Sequence, residues 1–285
     1  MKKIKYLTEL MDDGSLNGEL KMGIVALNNA CYEQAWDHFY RAYQSKAVSE
    51  DDKGKACYLL YCIMERTTDE DEFVLNLKDI DNDLAKVMAK KEVGKDYPRR
   101  YIGRKYLEKS AQYGYCLGLI DYSLLCVGYG TFAYKDEMKN VYAGLDWADV
   151  MKDDKDNEVR AISYIIYAKY HYLKRIVEYK EEMQMFKERG ENADPGKETY
   201  LVKEFGKKVL KAAEEDPNNQ YVKYYLAILY ANVLFSGYEK RKYYNPSKGY
   251  DLVCELLNEC EDKKLKTEIK EFKTSIEKHY PKLKR

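Results

Sequence analysis

The chain has 285 residues, and its 49 basic and 49 acidic side chains leave it formally neutral. That balance argues against bulk nucleic-acid binding, and 34% charged beside 45% hydrophobic residues excludes a disordered or membrane-spanning class. No apolar run reaches the roughly 18 residues of a membrane helix, and Glu9, Asp12 and Asp13 break any signal-like core behind the basic start.

Spacing then predicts helices over 17–30, 32–47, 52–66, 70–92, 97–112, 115–128, 136–152, 157–188, 197–214, 218–235, 246–260 and 263–280. With five prolines in the whole chain, these runs are seldom broken. Asp194-Pro195, Asp216-Pro217 and Asn245-Pro246 read as helix entrances, and Pro98 after Asp96 reads similarly: the polar side chain caps free N–H groups and Pro fits the first turn. Val222, Leu226, Leu229 and Val233 form one apolar stripe; Leu265, Ile269, Phe272, Ile276 and Tyr280 form another. Period-two alternation is nearly absent, so the expected fold class is all-α. The 30 Tyr suit an interior that borders solvent over a long perimeter. Seven cysteines, an odd number without a CxxC, lie mostly at apolar helical positions and fit a reducing, cytoplasmic compartment.

A signature recurs in alternate helices: a small residue, a large apolar one four positions on, and a small or apolar one three further. It reads Ala35-Phe39-Ala42, Gly103-Leu107-Ser110, Ala143-Trp147-Val150, Gly206-Leu210-Ala213 and Gly249-Val253-Leu256. These positions share a helix face, so the small residue admits a neighbouring helix and the large one fills the gap beyond. The preceding helices carry small residues too, at Gly23, Ala56, Gly118, Ala168 and Ala227.

On these residues the chain resembles the tetratricopeptide and Sel1-like repeat families. Gly23, Ala35, Phe39 and Ala42 stand at tetratricopeptide spacings, Lys211–Asn219 followed by Tyr225-Leu226-Ala227 is similar to a repeat junction, and Tyr106–Gly114 with Leu117-Gly118 is closer to the Sel1-like form. The resemblance implies one helical repeat domain over 1–285, an α-solenoid of about five antiparallel helix pairs (17–47, 52–112, 115–152, 157–214 and 218–260) with a capping helix at 263–280. Uneven spacing of the signature places insertions near 67–95 and 177–197.

Chemical motifs are sparse. Gly128-Tyr129-Gly130-Thr131-Phe132-Ala133 satisfies GxGxxA, with Asp149 as the later acid, and carries the alternative of a nucleotide- or cofactor-binding enzyme. A hairpin loop explains the same glycines. Asp79–Asp83 begins like a calcium loop, yet Leu84 and Lys90 stand where Gly and Glu are required. Asp153–Glu158 reads as a helix cap. His38, His171 and His279 lie far from one another and read as structural. Between Lys263 and Arg285 nine basic residues face three Glu, which reads as a solvated helix face. No catalytic residue, metal or cofactor is expected.

The resemblance implies an inner groove lined by the first helix of each pair. Helical phase from Gly23, Gly118, Ala168 and Ala227 selects Asn28, Tyr115, Tyr122, Lys169, Tyr172, Tyr224 and Asn232 for that face. Asn offers a donor and an acceptor to a bound backbone, and Tyr offers rigid area with few rotors to freeze. The expected function is a non-catalytic interaction module, an adaptor or regulator that binds a protein or peptide, as a monomer or weak homo-oligomer, with neither nucleic acid nor membrane as partner. A dedicated inhibitor of a bacterial effector is a further alternative on the same stack.

Overall fold

The computed structural model describes residues 7, 10, 11, 14–68, 71–76, 97–129, 137–236 and 243–283. Among them every regular element is helical, as composition and period required. They are α1 (Gly18–Asn28), α2 (Tyr32–Gln44), α3 (Glu50–Arg66), α4 (Glu72–Asn76), α5 (Tyr97–Gln112), α6 (Cys116–Cys126) and α7 (Glu137–Met151). Then follow α8 (Asn157–Glu188), α9 (Tyr200–Glu215), α10 (Gln220–Ala231), α11 (Val233–Ser236), α12 (Pro246–Glu259) and α13 (Lys263–His279), with a 3-10 turn at Pro281–Leu283. No described helix is long and apolar enough to cross a membrane.

Side chains with short polar heads open most of these helices. The side chains of Asn17, Ser49, Asp156, Thr199, Asn219, Asn245 and Asp262 each accept a backbone N–H of the first turn. Asn245-Pro246 is a helix entrance as expected, with Pro in the first turn. The other two Pro pairs are not. Asp194-Pro195-Gly196-Lys197 closes a turn through Lys197 N to Asp194 O, and Thr199 caps the helix instead. Asp216 likewise holds Asn218 N in a turn, and Asn219 is the cap. Pro after Asp suits a turn as well as a helix start, and the choice rests with the next capping residue. The run expected over 218–235 breaks at Asn232, whose Oδ1 accepts Leu234 N and so replaces the helical bond.

The chain divides into two compact units, residues 1–122 and 123–285, with the division inside α6. In the first, α2 packs on α1, α3 on α2, and α5 on α3. Ala35, Phe39 and Ala42 are fully buried, and Phe39 lies against Gly23 so closely that no Cβ fits there. Gly118 meets Ser110 in the same way, and the Ser110 hydroxyl donates to Gly54 O at 2.8 Å. Trp36 sits between Phe73 and Tyr106, with centroids at 5.7 and 5.3 Å. Burial pushes the Cys57 thiol up to about 12, so it is an inert apolar filler.

In the second unit α8 packs on α7, α9 on α8, α10 on α9, α12 on α10, and α13 on α12. The signature holds at Gly249, Val253 and Leu256, all buried, where Gly249 seats against Ala227 and Ala231. It slips by one residue in two helices. In α7 the inward set is Val141, Gly144, Ala148 and Met151, while Ala143 and Val150 are exposed. In α9 Phe205, Val209 and Ala212 face inward beside Gly206, while Leu210 and Ala213 are half-buried. Leu265, Ile269 and Ile276 of the α13 stripe are buried where it packs on α12 and α10, while Phe272 and Tyr280 are half-buried. The segment 177–197 is an extended helix end, 177–188, followed by an irregular return; of 67–95, only the short α4 and its flanks up to Asn76 are described.

Candidate functional site

The residues expected to line a groove divide sharply by burial. Asn28 is exposed at the end of α1, and Tyr172 and Asn232 are half-buried, with Asn232 engaged in its cap. Tyr115, Tyr122, Lys169 and Tyr224 are buried at 7%, 3%, 3% and 5% exposure, so they face the interior. For Tyr224 the physical reason lies in α10, which packs against α8, α9, α12 and α13. A helix that is apolar all round is a central helix.

Lys169 and Tyr172 join a polar aromatic core in the second unit. The hydroxyls of Tyr129 and Tyr225 share a hydrogen bond of 2.8 Å, and Lys169 Nζ stands 3.8 Å from the centroid of Tyr129. Burial, with Tyr225 and Glu268 nearby, drives the Tyr129 phenol well above its ordinary range, so it stays neutral. Tyr172 stacks on Phe235 at 4.9 Å, and Phe235 meets Phe205 at 4.5 Å. In the first unit Tyr58 lies 5.7 Å from Tyr115 and donates to Asp121 Oδ2 at 2.7 Å. These tyrosines use their hydroxyls to satisfy the interior.

The start of the GxGxxA run is the end of a helix. Tyr129 N donates to Leu124 O and Gly128 N to Leu125 O, and Gly128 has φ +90, the geometry of a glycine closing α6. A dinucleotide loop follows a strand. Residues 130–133 and the Asp79–Asp83 motif lie outside the described residues. Of the histidines, His38 Nδ1 pairs with Glu19 Oε2 at 2.7 Å, and His279 Nδ1 meets Ser275 O at 2.8 Å. Among the described residues no group of three or more His, Cys, Asp or Glu is placed to hold a metal.

A pocket of about 220 Å³ opens between α9 and α10, lined by Val202, Lys203, Gly206, Lys207, Leu229, Phe235 and Tyr243. Leu229 and the fully buried Phe235 give it an apolar back. Lys203 and Lys207 stand at the rim, 44% and 69% exposed, each paired with a glutamate of its own neighbourhood, Glu198 and Glu204. Gly206 distinguishes this place. A Cβ added there would meet only Leu229 Cδ1 at 3.7 Å and Tyr243 Cε2 at 3.9 Å, ordinary contacts. At Gly144 and Gly249 the corresponding atoms lie at 2.6 and 2.7 Å. None of the seven groove residues lines this pocket. Phe235 and Tyr243 reach it from beyond α10, so spacing within one helix could not reveal it; the interior glycine was the available signal.

No family model, no curated protein and no solved structure matches this chain.

Proposed function

We propose that the chain is a non-catalytic binding module built of tetratricopeptide or Sel1-like helical pairs, and that it receives one apolar side chain of a peptide segment in the α9–α10 pocket. The observation that carries this reading is Gly206. A glycine inside a helix costs about 1 kcal/mol relative to alanine, and no neighbour here demands its small size. What its missing side chain leaves is open pocket. At about 220 Å³ the space falls below that of drug-sized ligand sites and suits a single side chain. The lysine rim favours an acidic residue beside the inserted one. An adaptor, a regulator or an inhibitor of another protein would each use such a site; the packing of α1 on α2, α2 on α3, α7 on α8, α8 on α9, α9 on α10 and α12 on α13 supports the repeat reading.

Selection of random displayed peptides on the wild-type chain tests this, with counter-selection on Gly206→Phe. The expected result is enrichment of an aromatic or branched apolar residue flanked by Asp or Glu, lost when phenylalanine fills the pocket while helicity and melting are retained. Failure to enrich, or binding indifferent to Gly206→Phe, overturns the pocket. Binding that Tyr172→Ala abolishes and Gly206→Phe spares would return the site to the first helices.

A further inference from the structure

Arg175 on α8 is completely buried, an unusual fate for a guanidinium. Its Nη1 donates to Glu178 Oε2 at 3.1 Å and to Glu182 Oε2 at 3.4 Å. Its Nε and Nη2 have no partner. These two atoms form one edge of the guanidinium, the pair of parallel N–H bonds that grips a carboxylate or phosphate at two points. The two glutamates hold the opposite nitrogen, and the Tyr179 ring lies 5.5 Å from the guanidinium carbon, so the empty edge is oriented rather than loose. One turn earlier on the same helical face, His171 is 8% exposed and its Nδ1 also lacks a partner.

The non-helical return after α8 reaches this stretch through Lys197. After Gly190, at φ +70, residues 191–199 return without helix, and Lys197 Nζ reaches Glu182 Oε1 at 3.3 Å. Lys197 is 56% exposed, so water weakens that pairing. The return then joins α9 at Tyr200, whose ring stands 6.3 Å from His171.

We propose that the Nε–Nη2 edge of Arg175 seats one oxyanion, a carboxylate or a phosphate group, admitted when the 191–199 segment lifts. The two donors are buried, adjacent and correctly disposed, and an oxyanion satisfies both with one group. This site is independent of the α9–α10 pocket and stands or falls separately from it.

Titration of the full-length chain with inorganic phosphate, and separately with acetate, tests the proposal, with chloride at matched ionic strength as control. The readouts are the Arg175 Nε–H resonance and the His171 imidazole. His171 faces Glu204, Lys208 and Lys174, with the Tyr170 and Tyr200 rings beside it, and burial holds its pKa below the ordinary value. A saturable shift of Arg175 Nε–H is expected together with a rise of the His171 pKa, and in Arg175→Lys, which keeps the charge and lacks the fork, the anion concentration that half-saturates the His171 response should rise at least tenfold. A response to phosphate alone assigns the site to phosphate; a response to both assigns it to carboxylates as well. Saturation by neither, a response equal to chloride's, or water cross-peaks to an Nε–H that ignores both anions, overturns the proposal, and the wild-type titration decides this even if Arg175→Lys fails to fold.

Discussion

The α1–α2 hairpin and the α9–α10 pair each set a glycine into a helix seam, and they use it in opposite ways. At Gly23 the space is taken by the Phe39 ring, itself fully buried. At Gly206 the nearest atoms leave room for a methyl group, and a pocket lies in front. The same residue type thus records close approach in one seam and vacancy in the other. Only the residue across the seam distinguishes them. The two units differ in their histidines as well: in the first His38 has Glu19 as a partner, whereas in the second Nδ1 of His171 on α8 has none.

The contrast can be broken most forcefully at Phe39. Truncation by Phe39→Ala is expected to cost about 3–5 kcal/mol in denaturant unfolding, because the ring fills the space beside Gly23 and its removal leaves a cavity. A loss below about 1 kcal/mol would mean that the hairpin collapses around the gap. Gly23→Ala is expected to cost about 2 kcal/mol from overpacking against a ring that cannot move freely. In the double variant Gly23→Ala/Phe39→Leu much of that loss should return, since contacting residues are coupled.

Gly206→Ala should have the opposite sign, raising stability by about 1 kcal/mol through helix propensity while narrowing the pocket. Destabilisation there would show that the seam is tighter than its geometry indicates. The smallest expected effect concerns pH. Burial lowers the His171 pKa in the folded chain. Folding therefore disfavours its protonation, and the stability it contributes is full above the ordinary value of 6.5 and falls as acid protonates the unfolded chain first. Glu204 opposes this shift, and Lys208 and Lys174 add to it. Stability curves measured across that range should flatten in His171→Phe and remain unchanged in slope if His171 stays hydrated.

Helix identity was legible because the apolar spacing repeats over many turns, and so was the close approach of α1 to α2 at Gly23 and of α10 to α12 at Gly249, whereas Gly118 seats on Ser110 of the preceding helix and not on the following one. In α7 the adjacent small residues Ala143 and Gly144 offer two stripes of equal merit, and only contact with Val127 selects Gly144. In α9 Phe205-Val209-Ala212 and Gly206-Leu210-Ala213 satisfy the same spacing, one face apart. The burial of Tyr224 was not legible for a different reason. Phase from Ala227 assumed that α10 keeps one side open, yet Tyr221–Ala231 has Lys223 as its one charged residue, and that composition already belongs to a helix enclosed by neighbours. The pocket depends on residues meeting across loops, which a period along the chain does not encode, and the Arg175 edge depends on the burial of one arginine on α8, which the period does not encode either.

The chain's two tryptophans fall one to each compact unit: Trp36, walled in by Phe73 and Tyr106, and the half-buried Trp147 of α7. Each unit therefore carries its own intrinsic fluorophore. With Trp147→Phe and Trp36→Phe as a matched pair, emission during melting would read the halves one at a time and tell a single concerted transition from two sequential ones, without any attached label.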